Sequence, residues 1–133
     1  MSKQEIKDEF KNMEGDPQVK GRIRRIQMQM AQKRMMSNVP NADVVITNPT
    51  HYAVALKYDN KIDSAPKIVA KGIDFLALKI RDVAKENKIP IIENPALARS
   101  LYDQIDIDRE IPSEFYKAMA EVFSYVYELK RKR

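Results

Sequence analysis

Four consecutive residues, Asn48-Pro49-Thr50-His51, carry the side chains of this sequence best suited to chemistry on the chain itself. Asparagine ordinarily ages when the backbone nitrogen of the next residue attacks its side-chain amide. The peptide nitrogen of Pro49 has no hydrogen, so that route is closed. The reverse attack stays open: the Asn48 side-chain nitrogen can reach its own backbone carbonyl carbon, close a five-membered succinimide and expel Pro49 as a new amino terminus. The residue before a proline is kept out of the helical region and held extended, which limits the geometries open to Asn48. An intramolecular attack held near its reacting geometry gains many orders of magnitude in effective concentration. Strain in the turn adds roughly 1–3 kcal/mol. The expected event is one intramolecular cut between Asn48 and Pro49, with no turnover on other substrates and no cofactor or metal.

His51 is the sole histidine, and an imidazole can relay a proton from the attacking amide or to the departing Pro49 nitrogen. The competing reading makes it a strand residue bonded locally. Thr50 either orients the carbonyl through its hydroxyl or simply starts a strand as a β-branched residue, and the second reading is preferred. Other constellations are weak. No nucleophile-elbow motif accompanies the serines, and glycines only at 15, 21 and 72 leave no phosphate-binding loop. Asp103, Asp106, Asp108 and Glu110 lack the central glycine and terminal spacing of a calcium loop and read as a solvated segment. With no cysteine and one histidine, a structural zinc site is not expected.

The elements that must hold Asn48-Pro49 are two runs that read as β-strands, Ala42 to Thr47 with the β-branched Val44-Val45-Ile46 and Tyr52 to Tyr58, joined by so short a connection that they form antiparallel neighbours. Lys67 to Lys71 makes a third strand ended by Gly72. Asp74 is the expected N-cap of a helix with Leu76, Ile80 and Val83 on its apolar face, closing near Asn87. Ile91-Ile92 gives a short fourth strand, parallel to the third through a helical crossover. A second Asn-Pro, Asn94-Pro95, opens a helix through Tyr102 with Asn94 as cap and Pro95 at its first position. That pair is an internal control: a capping asparagine is held away from its own carbonyl. Ile111-Pro112-Ser113 opens a last helix with Phe115, Met119, Val122, Val126 and Leu129 in one stripe.

The fold class is thus α/β, a small mixed sheet of about four strands packed with helices, in residues 41–133. Residues 1–40 form a preceding helical linker, bounded by the turn formers Ser37 to Asn41. Within it, after the helix breaker at Gly15-Asp16-Pro17, Val19, Ile23, Ile26 and Met30 share one helix face. Residues 17–40 hold six basic and no acidic side chains, while residues 41–129 hold 11 basic and 14 acidic ones. The linker is either docked or solvated, or it lies near anionic lipid or an acidic partner. The 133 residues, 44% hydrophobic and 32% charged, suit one domain with an extension in an aqueous compartment, with no membrane span or signal pattern. A basic nucleic-acid-binding module is the alternative. The acidic body and the lack of aromatic residues in the basic stretch count against it, and an intermolecular hydrolase built on His51 is weaker still.

Asn48-Pro49-Thr50-His51, its continuation Tyr52 to Tyr58, the segment Ala65 to Gly72 and the helix Pro95 to Tyr102 resemble the cytoplasmic domain of the FlhB/YscU family. These are the substrate-specificity switch proteins of type III secretion, and the flagellar branch is the nearer one. The resemblance extends from about residue 20 to the end. It implies autocleavage between Asn48 and Pro49, with Thr50 and His51 completing the motif, and two pieces that remain associated. It implies a linker leading to an amino-terminal membrane domain that this sequence lacks, and a place at the cytoplasmic face of the bacterial inner membrane. It also implies a switch from rod and hook to filament export under a hook-length control protein. Export-gate and ATPase-complex proteins, export substrates and the chain's own cleaved fragment are the other implied partners, with no nucleic acid.

Overall fold

A computed structural model describes residues 15–49 and 51–131 of the chain. The chain divides into two units, Met1–Arg34 and Met35–Arg133. Helix α1 spans Pro17–Asn38. It starts where the sequence breaks: the Asp16 carboxylate accepts the Gln18 amide at 2.8 Å, and Pro17, with no amide to satisfy, takes the first helical position. Ile23, Ile26 and Met30 of the expected apolar face are exposed.

The second unit is built on strands β1 (Val44–Asn48), β2 (Tyr52–Lys57), β3 (Lys67–Ile73) and β4 (Ile91–Glu93), in the order β3-β2-β1-β4. β1 is antiparallel to β2, with Val44 opposite Leu56 and Asn48 opposite Tyr52. β2 is antiparallel to β3, and β1 is parallel to β4. The sheet is mixed, as expected. β3 and β4 do run in the same direction, but they lie at opposite edges because the crossover helix α2 (Asp74–Glu86) passes two intervening strands.

Side chains alternate across the sheet, and both faces are covered. Val45, Ala53, Ala55 and Ala70 face Ala77, Ile80 and Ala84 of α2, together with Met35, Val39 and Ala42. The last turn of α1 and the 3-10 turn Val39–Asn41 therefore supply core side chains, although the turn-forming residues there suggest a boundary. Val44, Ile46, Val54, Leu56 and Ile68 face α3 (Pro95–Gln104) and α4 (Tyr116–Arg131). Those helices contribute Leu97, Ala98, Leu101, Met119, Val122, Phe123 and Val126. A strand buried on both faces reads as a continuous apolar run, as Val44-Val45-Ile46 does.

Several boundaries differ from the sequence expectation. Gly72 does not end β3. It lies within the strand, where a Cβ would sit 2.6 Å from the Leu76 Cβ and 3.1 Å from its carbonyl carbon, so glycine lets the start of α2 approach the strand. Asp74 is not a cap: Ile73 holds that position, without a side-chain bond, and Asp74 is the first helical residue. Phe115 belongs to a 3-10 turn before α4, and Leu129 is partly exposed. Asn94 does cap α3, its side-chain oxygen accepting the Leu97 amide at 3.2 Å.

The acidic segment after α3 has exposed side chains but a tethered backbone. The Ile68 amide donates to the Arg109 carbonyl at 3.1 Å, the Asp108 amide to the Ile68 carbonyl at 2.7 Å and the Ile111 amide to the Pro66 carbonyl at 2.9 Å. These bonds occupy the outer edge of β3, which would otherwise present unpaired backbone. Lys71 crosses from β3 to the end of α3, donating to the Tyr102 and Ile105 carbonyls at 2.8 and 3.0 Å. It caps the negative pole of that helix. The close contact at Gly72 generates a direct test. Gly72→Ala should destabilise the fold by about 1–3 kcal/mol, read as a lowered urea midpoint with an unchanged m-value.

Candidate functional site

Asn48 ends β1 and pairs with Tyr52 at the start of β2, so the two strands form a hairpin. The turn is closed by the His51 amide, which donates to the Asn48 carbonyl at 3.0 Å. This carbonyl is the one a cyclising Asn48 side chain would attack. A donor already aligned on it polarises the carbon and can stabilise the negative charge that develops on the oxygen. Asn48 and Pro49 are half-buried and His51 is exposed. Thr50 lies outside the described residues.

The two Asn-Pro pairs now differ in a physical way. The Asn94 side chain is occupied in capping. No hydrogen bond to a described residue holds the Asn48 amide, so its rotation toward its own carbonyl carbon breaks no such bond. β1 continues beyond the motif's neighbour on its other side as well: the Asn94 amide donates to the Thr47 carbonyl at 2.9 Å. Thr47 is thus held on the β4 side, and Asn48 itself by β2.

Helix α2 supplies the remaining anchors. The Asp74 amide donates to the His51 carbonyl at 3.0 Å, and an Asp74 carboxylate oxygen lies 3.5 Å from His51 Nδ1. Both side chains are well exposed, so this is a weak, solvent-screened pair that orients the ring more than it stabilises the fold. Two helical turns later, Arg81 Nη1 donates to the Pro49 carbonyl at 2.5 Å. Asp74 and Arg81 are seven residues apart, a spacing that brings them to one side of the helix. Asn48, His51, Tyr52, Ile73, Asp74 and Arg99 line an open cleft of about 400 Å³ beside the turn. Asp74 also has φ = 48°, a backbone region unfavourable for residues other than glycine and asparagine-like ones.

Asp74 and Arg81 were not legible as site residues. The sequence marks Asp74 as a cap and does not single out Arg81. The seven-residue spacing was the available signal, but nothing in the sequence said that this side of α2 would meet the turn. Among the described residues no group of three or more His, Asp or Glu side chains could hold a metal.

A profile of the FlhB HrpN YscU SpaS family matches residues 1–126. The chain belongs to that family. It is 59% identical over 132 residues to the flagellar biosynthetic protein FlhB of Bacillus subtilis (strain 168), covering 99% of this chain and 37% of that protein. The chain therefore spans little more than a third of the length of this family member. The fold is similar to the crystal structure of the cytoplasmic domain of FlhB from Shewanella putrefaciens, with a TM-score of 0.73 and 48% identity over 76% of this chain and 78% of that one. A mutated EscU C-terminal domain is also similar, with a TM-score of 0.67 and 32% identity over 69% and 92% of the two chains. The solved EscU domains include forms substituted at an asparagine, at the proline after it and at a histidine two positions further on. The resemblance carried by the motif and its flanking segments holds for this family, its flagellar branch included. Among the described residues no helix is long and apolar enough to cross a membrane.

The backbone at Asp74 generates a stability test for the FlhB-type fold. Asp74→Gly should be more stable than Asp74→Ala by about 1 kcal/mol, because glycine takes the positive φ without the Cβ clash that alanine meets. Equal urea midpoints for the two variants would show that the segment relaxes freely.

Proposed function

We propose that this chain is the self-cleaving part of a flagellar type III export component, cut between Asn48 and Pro49 by asparagine cyclisation. The observation that carries the reading is the Asn48 carbonyl, held at 3.0 Å by the His51 amide in a hairpin tip while its own side chain is free of partners among the described residues. Asn48 Nδ2 attacks the Asn48 carbonyl carbon and loses one proton. The bond to Pro49 nitrogen breaks, and that nitrogen gains a proton to become a secondary amine. The succinimide left at residue 48 then adds water. His51 is placed within the same turn to carry the proton, with Asp74 at its Nδ1. The asparagine, proline and histidine substituted in EscU have the spacing of Asn48, Pro49 and His51, which supports assigning the chemistry to these residues. Thr50 completes the motif.

The cut is compatible with an intact fold. The fragment 1–48 would retain β1, which stays hydrogen-bonded to β2 and β4 and buries Val44, Val45 and Ile46 completely. Only the turn is released. In this reading the altered turn surface changes export from rod and hook to filament subunits. Its partners are a hook-length control protein, export-gate and ATPase-complex proteins and the export substrates. Residues 1–40 serve as the basic linker to a membrane domain, and residues 41–133 work at the cytoplasmic face of the inner membrane. Likeness to the flagellar FlhB proteins supports these assignments.

Purified protein should give two fragments on a denaturing gel, covering residues 1–48 and 49–133, that elute together under native conditions. Asn48→Ala should give a single band. A wild-type chain that keeps its intact mass after prolonged incubation at neutral pH would sink the reading. His51→Ala should slow cleavage by about tenfold or more, and an unchanged rate would limit His51 to holding the turn.

A further inference from the structure

Arg81 is the unusual cation of this domain. It is half-buried in the covered part of α2, its Nη1 donates to the Pro49 carbonyl, and its buried Nε has no hydrogen-bond partner. It makes none of the ion pairs found among the described residues, which join His51 to Asp74, Arg99 to Asp103 and Arg131 to Glu128. A partly desolvated guanidinium with one nitrogen unsatisfied and no carboxylate is poor value for stability alone. Its one strong bond goes to the residue that would leave in the cleavage.

We propose that Arg81 is a positioning residue for cleavage of the Asn48–Pro49 bond, acting by fixing the Pro49 carbonyl against α2. The inference rests on the self-cleavage reading and deepens it. The proline ring already sets φ of Pro49. Holding its carbonyl also sets ψ, so the whole residue, leaving nitrogen included, is located relative to the helix. On the other side of the scissile bond, the Asn48 carbonyl is held by the His51 amide. With both flanks restrained, the motions left to the reacting atoms are chiefly the side-chain rotations of Asn48. Arg81 touches neither reacting atom, and its part is to keep the amide in attack geometry. Misplacement of about 1 Å in such a step costs up to about a hundredfold in rate.

The test follows the cleavage of freshly purified full chain by intact mass over time, for wild type, Arg81→Met and Arg81→Lys. Urea midpoints are measured for the same Arg81 substitutions in the uncleavable Asn48→Ala background. Arg81→Met should slow cleavage by at least about tenfold while the Asn48→Ala/Arg81→Met chain stays folded. Arg81→Lys, which keeps a charged donor, should recover part of the rate. Cleavage of Arg81→Met at the wild-type rate would overturn the assignment while leaving self-cleavage intact. So would a slowing matched by unfolding of the double variant without recovery in Arg81→Lys. A wild-type chain that never cleaves would instead overturn the reading on which the assignment rests.

Discussion

β1 is hydrogen-bonded on both edges and buried on both faces, and the rest of the domain depends on that double constraint. Val44, Val45 and Ile46 have no exposed surface. Each such side chain contributes about 1.5–3 kcal/mol relative to exposure. Slipping β1 by one residue would exchange its two faces, so its register is set strongly from both sides. The chemically suspicious asparagine sits where this strand ends. Its position is therefore inherited from the most constrained segment of the fold, while the turn that follows is exposed enough to react.

Helix α2 completes the arrangement from the other side. Gly72 allows it to start close against β3, and the entry is tight enough that Asp74 takes a positive φ. That entry directs the Asp74 amide to the His51 carbonyl and Arg81 to the Pro49 carbonyl. A positive φ at Asp74, a screened His–Asp pair and an Arg with no carboxylate partner among the described residues all occur around one turn. None is a strong contributor to stability, and each restricts the turn. Such a cluster is what a site that must hold a reactive geometry tends to show.

The same architecture explains how a cut could alter a surface without dismantling a domain. The bond in question joins a central strand to a turn and carries no ladder hydrogen bond whose loss would free β1. The interactions between the two halves are distributed over the sheet and both core layers, whereas those at the turn are few and local. A break there would act on the stability of the turn alone, the low-stability end of the structure.

The sequence by itself determined the α/β class, the four strands, the capping use of Asn94-Pro95 and the chemical oddity of Asn48-Pro49. These are local properties: β-branched runs, helical periodicity, a proline nitrogen without hydrogen and a capping side chain all act within a few residues. Tertiary structure decided which edge β4 occupies, that residues 108–111 tether along β3, and that Gly72 is a close-approach site within a strand. It also decided that Asp74 and Arg81 reach the turn. Those outcomes depend on how far α2 travels beneath the sheet before the chain returns, and contacts between segments far apart in the chain leave no periodic or compositional trace. An arginine placed to hold Pro49 and one left in water are the same letter, and only the packed helix tells them apart.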